Sequence, residues 1–147
     1  MPMAQRTATC RWSGDLASGN GVVTGASGGL GDLPVTWASR TQRSEGLTSP
    51  EELIAAAHAS CFSMALSHGL TEQGNPPAEL HVSATVTLDL IDGVPTVTNS
   101  DLVVSGSVPG LDAGGFLQAA TDAGKNCPIS RALGTLDISV SATLTDA

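Results

Sequence analysis

Two thiols carry the first chemical signal in this chain. Cys61 stands within Ser49-Pro50-Glu51-Glu52-Leu53-Ile54-Ala55-Ala56-Ala57-His58-Ala59-Ser60-Cys61-Phe62-Ser63-Met64-Ala65-Leu66, and Cys127 lies far along the sequence in Lys125-Asn126-Cys127-Pro128-Ile129-Ser130. Cys10 completes an odd set of three. No pair has zinc-type Cys-x-x-Cys spacing, so a metal framework is not indicated. Two cysteines that a fold can bring together, in a chain that otherwise uses almost none, suggest redox chemistry. Against this, a cysteine inside an apolar helix is ordinarily an inert small hydrophobe whose pKa burial raises. A reactive thiolate needs a cation or a helix N-terminus beside it.

The helix around Cys61 holds no Lys or Arg, so an activating cation must come from another segment. Arg40, in Trp37-Ala38-Ser39-Arg40, is best placed, and Arg131, four residues after Cys127, is its rival. Glu51 could hold such an arginine, or could be a solvated first-turn carboxylate. Glu51 and Cys61 are separated by roughly 15 Å along a straight helix and cannot share one site within it. If both serve one thiol, Glu51 must arrive from a second, antiparallel copy of the helix in a homodimer. Cys127, at a helix N-cap, would meet exposed N–H groups and the helix dipole, which favour a thiolate. Cys10 reads as strand packing. His58, Cys61, Ala65 and His68 share a helical stripe. A Cys–His nucleophile, or a metal site from His58, Cys61, His68 and Cys127, is therefore conceivable, although neither spacing matches a known signature.

The elements that must position these groups are legible in outline. Short strands are expected over Thr7–Trp12, Gly21–Thr24 and Pro34–Ser39, with Gly25–Gly31 a turn rather than a phosphate loop. Ser49 as N-cap, Pro50 at the first helical position and Glu52 at the capping-box position open a helix. From Leu53 to Leu70 it is apolar on nearly every face, which predicts burial all round. His81–Ile91 alternates, with Val82, Ala84, Val86, Leu88 and Leu90 on one face. Asp92-Gly93 turns the chain into Val97–Val108. Asp112 caps a helix from Ala113 to Gly124, and Pro128–Leu133 forms a short one with Cys127 at its cap. Leu136–Leu144 is the last strand, with Ile138, Val140 and Ala142 inward. The result is an α+β fold in a single domain over residues 1–147, an antiparallel sheet packed on helices.

Composition excludes several function classes. Apolar content of 41% argues for a globular chain. Net charge is −8, the six basic residues are scattered, and aromatic residues make up only 3%. Nucleic acid is therefore not an expected partner. The N-terminus lacks a secretory apolar run, and no 18 consecutive residues are apolar, so no membrane span is expected. A cytoplasmic protein with free thiols is the simplest reading.

The segment Pro50–Leu66 resembles the signature of the OsmC/Ohr family of organic hydroperoxide reductases, and most closely its OsmC branch. Trp12-Ser13-Gly14, Ser39-Arg40, Val108-Pro109-Gly110-Leu111-Asp112 and Cys127-Pro128-Ile129-Ser130 match in order around it. The resemblance implies an intertwined homodimer, with antiparallel sheets around long central helices and two interface sites. It implies Cys61 as the peroxidatic cysteine, Cys127 as the resolving one, and Arg40 with Glu51 as the pair that activates Cys61. It further implies an organic hydroperoxide as substrate, a lipoyl-type dithiol or lipoylated protein as reductant, and no bound metal or flavin. Ile54, Phe62, Met64 and Phe116 are expected to line an apolar substrate pocket. The family commonly places Phe-Glu after the arginine, where this chain has Thr41-Gln42. It also places Lys where this chain has Gly124, the lysine here being Lys125. The alternative function is a redox-sensing or apolar-ligand-binding protein that does not turn over.

Overall fold

The computed structural model describes residues 1–145. The chain forms two compact units, Met1–Leu53 and the remainder from Ile54. In the first unit, β1 (Ala8–Ser13), β2 (Asn20–Gly25) and β3 (Leu33–Val35) make an antiparallel sheet in that order. The glycine-rich segment after β2 is, as expected, a connection between strands.

Two readings of this unit are corrected. Residues Pro34–Ser39 do not form one strand, because β3 stops at Val35 and α1 (Trp37–Thr41) begins. Thr36 caps α1, accepting from the Ser39 N–H at 2.9 Å, while Ser39 Oγ accepts from the Thr36 N–H at 3.0 Å. This reciprocal cap satisfies two donors that a strand would have left to a ladder. The second correction is Cys10, which is exposed rather than packed. It lies on β1, an edge strand exposed along its whole length in this unit.

The long helix α2 (Pro50–Glu72) runs from the end of the first unit into the second. Ser49 caps it, accepting from the Glu52 N–H at 3.1 Å. The Glu52 carboxylate turns instead to Thr48, whose hydroxyl donates to it at 2.8 Å. Burial all round is not what the structure shows. Residues four apart, His58, Phe62, Leu66 and Leu70, form one fully buried stripe, while Met64 is 71% exposed. Only 22% of the most apolar 18-residue window is buried, and its mean hydropathy is 1.3. By length and composition α2 is apolar enough to cross a membrane, so the absence of an unbroken apolar run does not exclude it.

The second unit holds β4 (Glu79–Ile91), β5 (Val94–Ser107), α3 (Ala113–Asn126), α4 (Pro128–Ala132) and β6 (Asp137–Leu144). Asp92 and Gly93, at φ 52° and 79°, make a two-residue hairpin, the geometry for which an Asp-Gly pair is suited. Strand β5 therefore starts at Val94, earlier than the expected Val97. The register then slips between Thr87 and Leu88, leaving Thr98 without a partner. Beyond this bulge the alternation fails, and Leu90 is 65% exposed rather than facing the core.

The sheet order is β4-β5-β6, and β6 runs parallel to β5, not antiparallel as expected. The α3–α4 connection carries the chain back to the starting end of β5, and a crossover of that length permits a parallel pair. Ile138, Val140 and Ala142 do face inward, against a core of Phe62, Leu66, Leu70, Leu102, Val104, Val108 and Phe116.

Gly124 shows why α3 lies so close to β6. A Cβ there would stand 2.5 Å from Val140 Cγ2. A side chain there would clash with Val140, whereas the neighbouring Lys125 is exposed. Gly124→Ala is expected to destabilise the fold. Overpacking of this kind costs about 1–3 kcal/mol, against about 1 kcal/mol returned in helix propensity. A thermal melt that rises on substitution would contradict the close packing.

Candidate active site

Two constellations emerge, one in each unit. In the first, α1 presents Arg40 at its last turn and α2 presents Glu51 at its first. Arg40 Nη2 donates to Glu51 Oε1 at 2.8 Å, and Nε donates to Oε1 and Oε2 at 3.1 and 3.2 Å. Glu51 is buried, so its charge is offset by this forked contact. The guanidinium also lies 5.8 Å from the Trp37 ring centroid, within cation–π range. Ser39 braces the segment, donating from Oγ to the Thr48 carbonyl at 2.9 Å. Arg40 is thus held in one orientation with a direction of its surface still open. Arg131, the rival cation, is an exposed residue of α4.

In the second unit the two thiols meet. Cys61 is half-buried, Cys127 is fully buried, and both are free of disulfides. Cys61 packs against the core cluster that includes Cys127, and the Cys127 side chain and the Ile129 backbone are the neighbours that act on its thiol. Burial pushes the Cys61 thiol above its ordinary value. The Ile129 backbone opposes that rise, and the nearby Cys127 adds to it. No Lys or Arg contributes, so within this unit the thiol lacks the cation that a reactive thiolate requires. Cys127 caps α4 as expected. Its Sγ accepts from the Ser130 N–H at 3.3 Å and lies 3.2 Å from Ser130 Oγ.

His58 is the residue whose placement the sequence did not foretell. It forms no pair with Cys61 and stands fully buried, Nδ1 at 2.7 Å from Ser100 Oγ and Nε2 at 2.7 Å from Ser130 Oγ. Ser100 and Ser130 belong to β5 and α4, so only the tertiary fold joins them. Burial lowers the His58 pKa below the usual 6.5. Between the folded and unfolded values the unfolded chain binds the extra proton, so stability is full above the unfolded value and is lost as pH falls toward the folded one. The thermal midpoint is expected to hold steady above about pH 7 and to decline below it, less steeply in His58→Gln. Equal slopes in the two proteins would exclude His58 as the source.

With both constellations described, comparison with known proteins is informative. The model of the OsmC-like protein family matches residues 43–142. The chain is also 42% identical to Peroxiredoxin OsmC of Escherichia coli over 122 residues, which is 83% of this chain and 85% of the relative. The chain belongs to the OsmC-like family. Among solved structures, the organic hydroperoxide resistance protein OhrB of Bacillus subtilis is similar at 28% identity and a TM-score of 0.73, over 93% of this chain and 98% of that one. An organic hydroperoxide resistance protein OsmC from Legionella pneumophila shares the fold at 22% identity and a TM-score of 0.73, over 97% and 99% of the two chains.

The remaining sequence-named residues of this OsmC-like chain fall in different settings. Phe62 and Phe116 are fully buried in the core of the second unit, Ile54 is half-buried, and Met64 is open to solvent. His68, also exposed, borders a shallow groove with Ala65, Ala119, Asp122 and Pro128. Among the described residues no three His, Cys, Asp or Glu side chains converge as metal ligands.

Proposed function

We propose that this OsmC-like protein is a cysteine peroxidase that reduces organic hydroperoxides to alcohols. The observation that carries the reading is that two free cysteines far apart in sequence, Cys61 and Cys127, pack together in one unit. The similar proteins of Escherichia coli and Bacillus subtilis, a peroxiredoxin and an organic hydroperoxide resistance protein, point the same way.

In the proposed cycle the Cys61 thiolate attacks the terminal peroxide oxygen. The O–O bond breaks, the alkoxide leaves and takes a proton to become the alcohol, and Cys61 becomes a sulfenic acid. Cys127 then displaces hydroxide from that sulfur, which leaves as water, and the Cys61–Cys127 disulfide forms. A lipoyl-type dithiol, free or carried on a protein, restores both thiols by two exchange steps and is itself oxidised to a disulfide. The cycle calls for no bound metal or flavin.

The missing cation is Arg40, held by Glu51. In this proposal it comes from a second copy of the chain, where it stabilises the Cys61 thiolate and the charge developing on the departing oxygen. The ten-residue separation of Glu51 and Cys61 on one helix supports that arrangement, as do the uncovered apolar faces of α2. A monomer leaving such a helix open would expose an apolar surface that a homodimer buries. Ile54 and Met64 on this helix, with Phe62 and Phe116 beneath, then form the apolar lining that favours alkyl hydroperoxides. Three free cysteines suit the reducing cytoplasm.

Intact-mass analysis of the reduced protein after one equivalent of cumene hydroperoxide tests the reading. Loss of two hydrogens mapped to Cys61 and Cys127, reversed by dihydrolipoamide, is expected. Thiols that stay reduced, or that oxidise once and do not cycle with a dithiol, would favour a binding or sensing protein instead.

A further inference from the structure

His58 takes no part in the steps above, yet it is one end of an unbroken chain of polar atoms that reaches the second thiol. From Ser100 Oγ the chain passes to His58 Nδ1, then from Nε2 to Ser130 Oγ, each at 2.7 Å, and from Ser130 Oγ to Cys127 Sγ at 3.2 Å. All four residues are at least 96% buried, drawn from β5, α2, α4 and the α3–α4 junction. A buried imidazole with both nitrogens held by hydroxyls has a fixed ring plane and a defined proton path.

We propose that His58 is a positioning residue for the resolving step, accepting the Cys127 proton through the Ser130 hydroxyl. The proposal rests on the peroxidase reading of Cys61 and Cys127. With Nδ1–H donating to Ser100, Nε2 accepts from the Ser130 hydroxyl, and Ser130 Oγ accepts from the Cys127 S–H. Transfer of two protons along this line leaves a Cys127 thiolate and a His58 imidazolium without movement of a heavy atom. Ser130 then donates to the sulfur from both its O–H and its N–H. The thiolate attacks the Cys61 sulfenic sulfur, an S–S bond forms as the S–O bond breaks, and hydroxide leaves. The proton held by His58 offsets the one that hydroxide takes up to become water, so the step is neutral overall. The Cys61 sulfur is reduced from the sulfenic level and the Cys127 sulfur is oxidised from the thiolate level by the same amount, both reaching the disulfide level, so no outside oxidant or reductant is needed.

The surroundings suit a base rather than a standing cation. The hydroxyls of Ser100 and Ser130 are the groups on the ring nitrogens, and the only titratable neighbours in the chain of contacts are the thiols Cys127 and, beyond it, Cys61. The charged side chains of β4, α3, α4 and β6 are exposed. On β5, Asp101 is turned to the opposite face, where it accepts from Asn99 and Ser139. His58 therefore stays neutral, and able to accept, through the neutral range.

Rapid-quench kinetics on the full-length protein separate the steps. Sulfenate is trapped with dimedone and disulfide counted by mass after stoichiometric cumene hydroperoxide. In His58→Gln and Ser130→Ala, the ratio of disulfide-closure rate to peroxide-attack rate is expected to fall about 100-fold, the lower range of general-base catalysis. Their closure rate should rise with pH more steeply than that of the wild type, because without the relay the Cys127 proton must be lost to solvent before attack. Ser130→Thr, which keeps the hydroxyl, should restore the wild-type profile, and it decides the matter if His58→Gln does not fold. A closure rate and pH profile unchanged in Ser130→Ala, or a Ser130→Thr variant as slow as Ser130→Ala, would overturn the relay. A wild type that forms no sulfenate at Cys61 would remove the peroxidase reading, and the relay with it.

Discussion

Cys61→Ser is expected to abolish hydroperoxide turnover, lowering it by at least roughly 10³-fold, because a serine hydroxyl near neutrality supplies neither a thiolate nor a sulfur that can carry the oxygen. The fold should survive, since Cys61 is only half-buried and serine fills nearly the same volume. Cys127→Ser should separate the two halves of the cycle. Peroxide still oxidises Cys61 once, the sulfenate accumulates, and dimedone labels it. Steady-state assays with cumene hydroperoxide and dihydrolipoamide check both variants. Turnover of Cys61→Ser within twofold of wild type would end the peroxidase proposal.

Mixing two inactive variants should restore activity. Arg40→Ala removes the cation and Cys61→Ser removes the nucleophile, yet a heterodimer of the two has one site with Cys61 from one copy and Arg40 from the other. After exchange at equal concentration, half the dimers are mixed and one of their two sites is complete. Activity should recover to about one quarter of wild type. No recovery, with exchange verified by mass, would show that Arg40 serves the thiol of its own copy or none. Arg40→Ala alone should lower turnover by about 10²–10³-fold, as loss of a preorganised charge at the reacting centre does. It also leaves the buried Glu51 carboxylate without its partner, so its stability must be measured alongside.

What could be read from the sequence follows from the range over which each signal acts. The Ser49 cap, the Asp92-Gly93 hairpin, the Asp112 cap and Cys127 at the head of α4 are decided within a few residues, and all are present. The expectation of a strand over Pro34–Ser39 fails at Trp37–Ser39, whose apolar start resembles the end of a strand although α1 begins there. The evidence for a helix lay in Thr36 and Ser39, two weak hydroxyl signals that gain meaning only as a pair. The parallel pairing of β6 and the bulge at Thr98 depend on where the crossover returns the chain, which no local pattern records. At the site, the cysteines could be named from their types and spacing. The Ser100–His58–Ser130 line could not, because its members come from three distant segments and a histidine on an apolar helix face carries no mark of its partners.

The unequal depth of the two sulfurs dictates the regiochemistry of recycling. Cys127 is sealed from solvent and Cys61 is not. On the peroxidase reading an incoming dithiol can reach the disulfide only from the Cys61 side, so the first mixed disulfide is to Cys61 and Cys127 is the leaving group. The departing thiolate is released among the Ser130 donors that stabilise it. A small second thiol already tethered to the first can then finish the exchange within the same opening, whereas a bulky monothiol would need a second molecule to enter it. The preference for dithiols would then be enforced by access rather than by affinity.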